Sequence, residues 1–203
     1  MAMMIDSLSL HPSHSLDVSR NFTETPHNKR TDRKMAETVN IIGAGIGGLT
    51  TALTLKQKGL NVNIFESSVE IKPVGAGIIL ANNAMQVFQK LGIQNQIEKA
   101  GNKISYMKIT DTQLNTISVA DLTQYEKKYG VHNIAIHRGE LQKILANEIG
   151  YENINLSKRL IKIEKAELFK LTFEDKSSIE SKLVIGADGI KSVVRNQLFE
   201  ENT

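Results

Sequence analysis

Residues 38–66 read TVNIIGAGIGGLTTALTLKQKGLNVNIFE. The apolar residues Val39, Ile41 and Ile42 meet Gly43 abruptly, as a buried parallel strand does where it leaves its sheet. Apolar residues then follow at helical spacing as far as Gly59, a natural residue to end a helix, and residues 61–66 alternate as a second strand. The stretch therefore predicts a strand, a glycine turn, a helix and a strand in succession, which is a βαβ unit.

The glycines of the turn have separate physical roles. Gly43 allows the tight turn out of the strand, Gly45 lets the backbone approach a pyrophosphate, and Gly48 lets the helix pack closely on the sheet. We expect the helix to start near Ile46 and to direct its free N–H groups and the positive end of its dipole at the phosphates, so that no basic side chain is required. We therefore predict that the turn binds a dinucleotide through six successive residues, Gly43, Ala44, Gly45, Ile46, Gly47 and Gly48.

A carboxylate follows at the end of the second predicted strand. Glu66 lies 23 positions beyond Gly43, where it can accept hydrogen bonds from both ribose hydroxyls of an adenosine and would repel a 2′-phosphate. Glycine-rich turns and a glutamate at a strand end also occur by chance, but strand, spacing and acid in combination favour a dinucleotide site. We predict that Glu66 binds the ribose and that the adjacent Ser67 also belongs to the cofactor site.

Composition narrows the remaining classes. The chain has 203 residues, 40% of them hydrophobic and 23% charged, as in an ordinary soluble globular protein. It has no cysteine, which excludes disulfides, thiolate catalysis and sulfur-based metal sites, and we expect no metal site and a location in the reducing cytoplasm. The net charge of +3 is spread along the chain and indicates no nucleic-acid surface. No apolar run approaches the roughly 20 residues of a membrane-spanning helix, so we expect no membrane span.

The beginning of the chain differs from the rest. As far as Lys34 it is rich in Ser, His, Asn, Thr and Arg and has no helical or strand period. It lacks the continuous apolar stretch of a secretory signal, and its acidic residues argue against a transit peptide. Because a more typical start, MAETVNIIGAG, begins at Met35, we interpret the beginning as an upstream extension or leader. We expect residues 1–37 to be a disordered extension and residues 38–203 to be one nucleotide-binding domain.

Three further blocks follow in order: PVGAGIILANNAMQVFQKLGI at 73–93, IHRGELQKIL at 136–145 and LVIGADGIKSVVR at 183–195. Together with the glycine-turn block, they resemble the FAD-dependent aromatic hydroxylase and monooxygenase family, which includes salicylate hydroxylase-like and zeaxanthin epoxidase-like enzymes. The blocks span Val39 to Arg195. The resemblance implies an α/β fold, a Rossmann-like FAD/NAD(P)-binding domain with a parallel sheet, flanking helices and a small β-meander.

The resemblance also implies further FAD-binding residues. Arg138, at the start of a predicted helix, matches an arginine that contacts the flavin cofactor, and its guanidinium could stabilise phosphate or flavin oxygen. Asp188 matches an Asp-Gly motif that lies close to the FAD and has been linked to NAD(P)H binding. Leu160 is the nearest match to a residue that supports the adenine through its backbone. Gly77, within the small residues 75–77, would belong to a loop that lets a flavin edge or ribityl chain pass close to the backbone.

Structural interpretations of some of these residues stay open. Arg138 could instead be a lone surface arginine. In the functional interpretation, Gln142, one helical turn along the same face, is a weaker companion in the site. Asp188 could cap the helix that follows it, with Ser192 as a competing cap.

Local structure can also be predicted. Either Asn82 or Asn83 should cap a helix, and we expect four apolar residues of that helix to face a core: Met85, Val87, Phe88 and Leu91. The alternation over 153–173 predicts strands of a meander. Residues 183–185 predict a buried parallel strand that ends at the same sheet edge as the glycine turn.

The resemblance implies a function for an intact parent protein. FAD would be the cofactor, NAD(P)H the co-substrate that reduces it, and one atom of O₂ would be transferred to a small organic substrate. Full-length members continue into a second FAD motif of Gly-Asp type and a substrate-covering sheet. Neither follows Arg195, so we expect the chain to be truncated and its substrate pocket to be incomplete.

Other functions remain open. One is a different FAD oxidoreductase, such as a geranylgeranyl-reductase-like or halogenase-like protein, although the Asn-Ala helix block argues against it. Another is a non-catalytic FAD-binding fragment, and a plain NAD-dependent dehydrogenase ranks third. His132 and His137 lack a second residue that marks a proton relay, so we assign them no chemistry. The sequence leaves the catalytic residues and the oligomeric state unknown.

Overall fold

The chain alternates strands and helices in its first part and forms mainly strands near its end. A computed structural model describes residues 38–72 and 75–199. The elements in chain order are β1 (Thr38–Ile42), α1 (Ile46–Gln57), β2 (Asn61–Phe65), β3 (Gly77–Leu80), α2 (Asn82–Lys90), α3 (Gln94–Ala100), β4 (Asn102–Ile104), β5 (Tyr106–Thr110), β6 (Thr116–Asp121), α4 (Thr123–Tyr129), β7 (Asn133–His137), α5 (Arg138–Ile149), a 3₁₀ turn (Tyr151–Asn153), β8 (Ile154–Asn155), β9 (Leu160–Lys165), β10 (Phe169–Phe173), β11 (Ser178–Ser181), β12 (Leu183–Gly186) and α6 (Val193–Leu198). The predicted disorder of residues 1–37 lies outside the described residues.

A four-stranded parallel sheet forms the centre, in the order β12-β1-β2-β8. The apolar run of β1 lies between two strands and is buried, with Ile41 fully covered. The predicted βαβ unit is confirmed, because β1 and β2 pair in parallel and α1 connects them. The prediction of a buried last strand is wrong, since Leu183 is 44% exposed. β12 pairs with β1 alone among the described strands of this sheet, so it is an edge strand with less cover.

The two faces of the sheet carry separate cores. Successive strand residues point to opposite faces. Ile41 and Ile64 pack with α1 and α5, whereas Ile42 and Phe65 pack with the strands that follow β8 and with α6. The ring of Phe65 stacks on that of Phe173, with centroids 4.9 Å apart. The parallel sheet is therefore covered by helices on one face and by a second, smaller sheet on the other.

The smaller sheet is the predicted β-meander, with different bounds. β9, β10 and β11 pair antiparallel in sequence order over residues 160–181. The expectation that the meander begins near residue 153 is wrong, because residues 154–155 form β8 and pair in parallel with β2. Residues 156–159 then lead from β8 to β9. Along this segment the Lys158 N–H donates a hydrogen bond at 2.7 Å to the carbonyl of Glu66, the residue directly after β2. This crossing brings the start of β9 beside the end of β2.

The helix α2 corrects two local predictions. Neither Asn82 nor Asn83 is its N-cap residue, since that position is Ala81, which has no side-chain bond. Two acceptors bind N–H groups of the first turn: Asn133 Oδ1 accepts from the Asn82 N–H at 3.0 Å, and Asn83 Oδ1 accepts from the Ala84 N–H at 2.9 Å. Met85, Phe88 and Leu91 are buried as expected, whereas Val87 is 42% exposed. Residues 85 and 88 share one helix face, and residue 87 lies on another.

The remaining strands lie outside the central sheet. β3, β7 and β4 form an antiparallel sheet, and β5 and β6 form a two-stranded ribbon whose apolar side chains are largely exposed. Among the described helices, none combines the length and the apolar character that crossing a membrane requires.

Candidate dinucleotide-binding site

A cavity of about 780 Å³ opens where strands of the parallel sheet end. In such sheets, ligands bind beyond the carboxyl ends of the strands. Gly43 follows β1, Glu66 follows β2 and Asp188 lies beyond β12, and all three line this cavity. Arg138, from the start of α5, closes part of the wall. The fold thus brings the separate sequence blocks to one place.

The glycine turn has the geometry expected of it. Gly43 has φ +104°, and a Cβ there would lie 2.4 Å from the Ala187 carbonyl oxygen. A Cβ on Gly48 would lie 2.0 Å from the Gly43 carbonyl oxygen, so α1 packs against the turn too closely for any side chain. By contrast, a Cβ on Gly45 would meet no atom within 4 Å, and Gly45 lines the cavity. Two glycines therefore serve the fold, and the third leaves open space where a ligand can approach.

The other residues of the predicted turn are Ala44, Ile46 and Gly47. α1 begins at Ile46, as expected, and its first N–H groups have no intrahelical acceptors. Ile46 and Gly47 are the first two residues of this helix. Ala44 is fully buried and outside the cavity lining, and its N–H is bound within the protein. The dinucleotide contacts predicted for these residues stay predictions.

Glu66 is bound to the turn and to its own loop. Its Oε2 accepts a hydrogen bond from the Ala44 N–H at 2.8 Å, and its Oε1 accepts one from the Ser68 N–H at 2.8 Å. The Ser67 hydroxyl donates to Oε1 at 3.1 Å. Burial raises the pKa of Glu66, but these hydrogen bonds outweigh it and hold the pKa below its ordinary value. The cavity therefore has an ionised carboxylate in its wall at neutral pH.

Arg138 is the first residue of α5. His137 caps this helix, its Nδ1 accepting a hydrogen bond from the Gly139 N–H at 3.2 Å. One helical turn along, Gln142 also lines the cavity, and its Nε2 donates to the Ala44 carbonyl at 2.7 Å. Arg138 and Gln142 therefore both line the cavity, and Gln142 is in addition hydrogen-bonded to the glycine turn.

The prediction of a loop at Gly77 is wrong. Gly77 is the first residue of β3, pairs with His137 of β7 and lies outside the cavity lining. Gly77 is followed by the apolar run Ile78–Leu80, which pairs with β7, so the strand begins at the last of the small residues. The neighbouring Gly75 is the residue closer to the site: it has φ +121°, and a Cβ on it would lie 3.4 Å from Arg138 Cδ.

Leu160 and Asp188 both line the cavity. Leu160 is buried at the start of β9. The Asp188 carboxylate accepts hydrogen bonds from the Ser192 hydroxyl and, through Oδ2, from the Val193 N–H at 2.7 Å. Ser192 in turn is the N-cap of α6, its Oγ accepting a hydrogen bond from the Arg195 N–H at 3.0 Å. The structural interpretation of Asp188 and Ser192 is therefore observed, and Asp188 remains at the cavity wall.

Basic residues outside the predicted set complete the wall. The charged lining residues are Glu66, Glu70, Lys72, Arg138, Lys158, Arg159, Asp188 and Lys191. Five are basic and three are acidic, and three of the basic residues form ion pairs: Lys72 with Glu70, Lys158 with Asp175 and Arg159 with Glu174. Arg138 and Lys191 remain as basic lining residues that favour an anionic ligand. Lys158 pairs with Asp175, and its hydrogen bond is the main cause that lowers the pKa of Asp175 to about 2. Lys158 and Arg159 could have been predicted as site residues from the sequence, because they directly precede Leu160.

Comparison with known proteins supports a specific cofactor. A family model described as "FAD binding domain" matches residues 36–202. The aurachin C monooxygenase/isomerase of Stigmatella aurantiaca is 35% identical over 170 residues, which cover 83% of this chain and 44% of that protein. The FAD-dependent urate hydroxylase of Mycolicibacterium vanbaalenii is 31% identical over 165 residues, 79% of this chain and 42% of that protein.

Solved structures agree with these relatives. The crystal structure of Klebsiella pneumoniae HpxO complexed with FAD and uric acid superposes with a TM-score of 0.71 at 28% identity, covering 78% of this chain and 41% of that one. The chain thus spans about two fifths of the length of the relatives it matches. Since the family model covers most of the chain, this chain belongs to the FAD binding domain family, and it corresponds to the FAD-binding portion of relatives that are FAD-dependent monooxygenases.

Proposed function

We propose that this chain is the FAD-binding portion of a flavin-dependent monooxygenase, whose intact form uses NAD(P)H and O₂ to hydroxylate or epoxidise a small organic substrate. The observation that carries the proposal is the cavity at the sheet edge, where bare backbone at Gly45 and the ionised Glu66 line the same wall. The names of the relatives, monooxygenases and hydroxylases, support the reaction class. Their small organic substrates, urate among them, support the substrate class.

The residues present fit the ADP half of FAD. Open space at Gly45 admits a diphosphate, and the N–H groups at the start of α1 together with basic side chains of the lining stabilise its charge. A carboxylate has about four acceptor sites, and the Ala44 N–H, the Ser68 N–H and the Ser67 hydroxyl occupy three of those of Glu66. One ribose hydroxyl would take the free site on Oε2, and a second would replace the Ser67 hydroxyl, which can rotate away. Ser67 lies beside the same carboxylate, and Leu160, which lines the cavity, would support the adenine through its backbone.

The other half of the cofactor would meet Arg138 and Asp188. The Arg138 guanidinium is a permanent donor to phosphate or flavin oxygen. Asp188 already accepts hydrogen bonds from α6, which fix the carboxylate at the cavity wall, and its remaining acceptor sites suit ribityl hydroxyls. The bound flavin would supply the redox chemistry, whereas these side chains would hold and orient it.

The reaction of the intact protein would also need pockets for NAD(P)H and for the organic substrate. The relatives are more than twice as long as the matched region, and the pockets for NAD(P)H and for the organic substrate would be completed there. We propose that NAD(P)H is the co-substrate. We also propose that the protein works in the cytoplasm, because a chain without cysteine is compatible with a reducing compartment.

The absorption spectrum of the purified chain tests the proposal. We expect the visible bands of oxidised flavin, and release of the cofactor followed by chromatography should identify FAD rather than FMN or NAD. A yellow chain that does not oxidise NAD(P)H would agree with the FAD-binding portion of such an enzyme. A colourless chain that fails to take up added FAD would reject the proposed function.

A further inference from the structure

The glycine turn is anchored at one residue by two side chains. Glu66 Oε2 accepts from the Ala44 N–H at 2.8 Å, and Gln142 Nε2 donates to the Ala44 carbonyl oxygen at 2.7 Å. Ala44 itself is fully buried. Each of the two peptide units that meet at Ala44 is therefore held by a side chain from a different part of the chain.

The turn requires such anchors because glycines flank Ala44. Gly43 has φ +104°, whereas Gly45 has φ −69° and ψ 175°. Glycine adopts either sign of φ at little cost, so the local backbone alone leaves the adjoining peptide planes free to rotate. The Ala44–Gly45 peptide is trans and planar, with its C=O and N–H groups pointing in opposite directions. Holding the Ala44 carbonyl consequently fixes the direction of the Gly45 N–H.

Gln142 is well placed to hold that carbonyl. It is 98 residues from Ala44 in sequence, on a helix whose neighbouring residues Leu141 and Leu145 are fully buried. These leucines belong to the same core as the buried residues of α1, which fixes α5 against the glycine turn. The Gln142 amide therefore starts from a rigid support, and its bond transmits that rigidity to the backbone that lines the cavity.

We infer that Gln142 is a positioning residue for the cofactor's diphosphate. It holds the Ala44–Gly45 peptide plane, and with it the entry into α1, in the orientation that receives the diphosphate. The inference rests on the proposed function, and it goes beyond the role expected from sequence, in which Gln142 is only a weaker companion of Arg138 in the site. The bond to Ala44 already occupies one amide hydrogen of Gln142 and directs the side chain at the turn.

Gln142→Met tests this role in the full 203-residue chain. Methionine keeps the unbranched shape and removes the N–H donor. The matched control is Gln57→Met, because Gln57 Nε2 also donates to a backbone carbonyl, that of Leu91 at 3.2 Å, from the far end of α1. Affinities for FAD, ADP and adenosine are measured by titration, and the Gly45 amide resonance is followed in ¹⁵N-labelled protein.

Loss of the donor should weaken FAD and ADP alike, by roughly three- to tenfold, the worth of one hydrogen bond. Adenosine affinity should stay unchanged, the Gly45 resonance should shift, and Gln57→Met should match the parent in all respects. Weakening of FAD but not ADP would overturn the inference, because Gln142 would then act on the flavin half. An equal loss of affinity for adenosine, or unchanged affinities for FAD and ADP, would also overturn it. Failure of the unsubstituted chain to bind FAD and ADP would instead reject the proposed function, and this inference with it.

Discussion

Replacing Gly45 with valine should separate cofactor binding from folding. Gly45 has φ −69° and ψ 175°, an extended conformation that valine adopts without strain. A Cβ built on it meets no atom within 4 Å, so the folded chain has room for the side chain. Gly45 is the N-cap of α1 without a side-chain cap bond. Replacing glycine at an N-cap position lowers stability slightly, because valine caps a helix less well than glycine. Valine also reduces the conformational entropy of the unfolded chain, which offsets that loss. We therefore expect the free energy of unfolding to change by less than about 1 kcal/mol.

The effect on the cofactor should be much larger. The branched side chain of the introduced valine would extend into the cavity that Gly45 lines and would displace the diphosphate from the backbone. Hydrogen bonds from N–H groups to a charged phosphate contribute about 1.5 kcal/mol or more each. Losing two of them raises the dissociation constant of FAD by about a hundredfold.

The assay combines an FAD titration, followed by flavin fluorescence, with a thermal melt of each variant. Gly48→Ala is the contrasting variant, because its Cβ would lie 2.0 Å from the Gly43 carbonyl oxygen and should lower the melting temperature strongly. Gly45→Val should keep the parent's melting temperature and lose FAD. A folded Gly45→Val chain that binds FAD as tightly as the parent would refute the reasoning.

Three further predictions concern groups around the site. The pKa of Glu66 lies below its ordinary value, so its ionised form stabilises the fold fully above about pH 4.5, and this contribution is lost as the pH falls through the lower folded pKa. Glu66→Gln should therefore reduce the free energy of unfolding by about 1 kcal/mol at pH 7 and by less near pH 4, as urea melts would show, and a loss independent of pH would count against it. Lys158→Met should raise the pKa of Asp175 from about 2 toward 3.8, because the hydrogen bond from Lys158 is the main cause of the low pKa. A ¹³C NMR titration measures it, and an unchanged pKa would contradict the hydrogen bond. Asn133→Ala should cost about 1 kcal/mol of stability, because the Asn82 N–H loses its acceptor, and unchanged stability would show that this bond does not cap α2.

The βαβ unit was predictable because its signals are local. The apolar run before Gly43, the helical spacing and the alternation up to Glu66 each follow from backbone geometry within one segment. The special glycines could be assigned separate roles for the same reason, and the positive φ of Gly43 and the tight packing at Gly48 agree with those roles. Glu66 was correctly placed at the sheet edge, although its bond to the turn was not foreseen.

What sequence reasoning missed depends on partners that are distant in the chain. The acceptor for the Asn82 N–H at the start of α2 is Asn133, 51 residues away, whereas Asn83 lies within the first turn and not at the N-cap position. The burial of residues 183–185 was overestimated because an apolar run does not reveal whether its strand is central or at an edge. The bond from Gln142 to Ala44 spans 98 residues and follows only from the packing of α5 against α1.

A crystal structure of the chain with FAD would locate the cofactor relative to the glycine turn. We expect the diphosphate against the backbone of residues 43–45 and the start of α1, with the ribose hydroxyls bound to the Glu66 carboxylate. FAD bound away from this turn, or a Glu66 side chain directed out of the cavity in the complex, would contradict it.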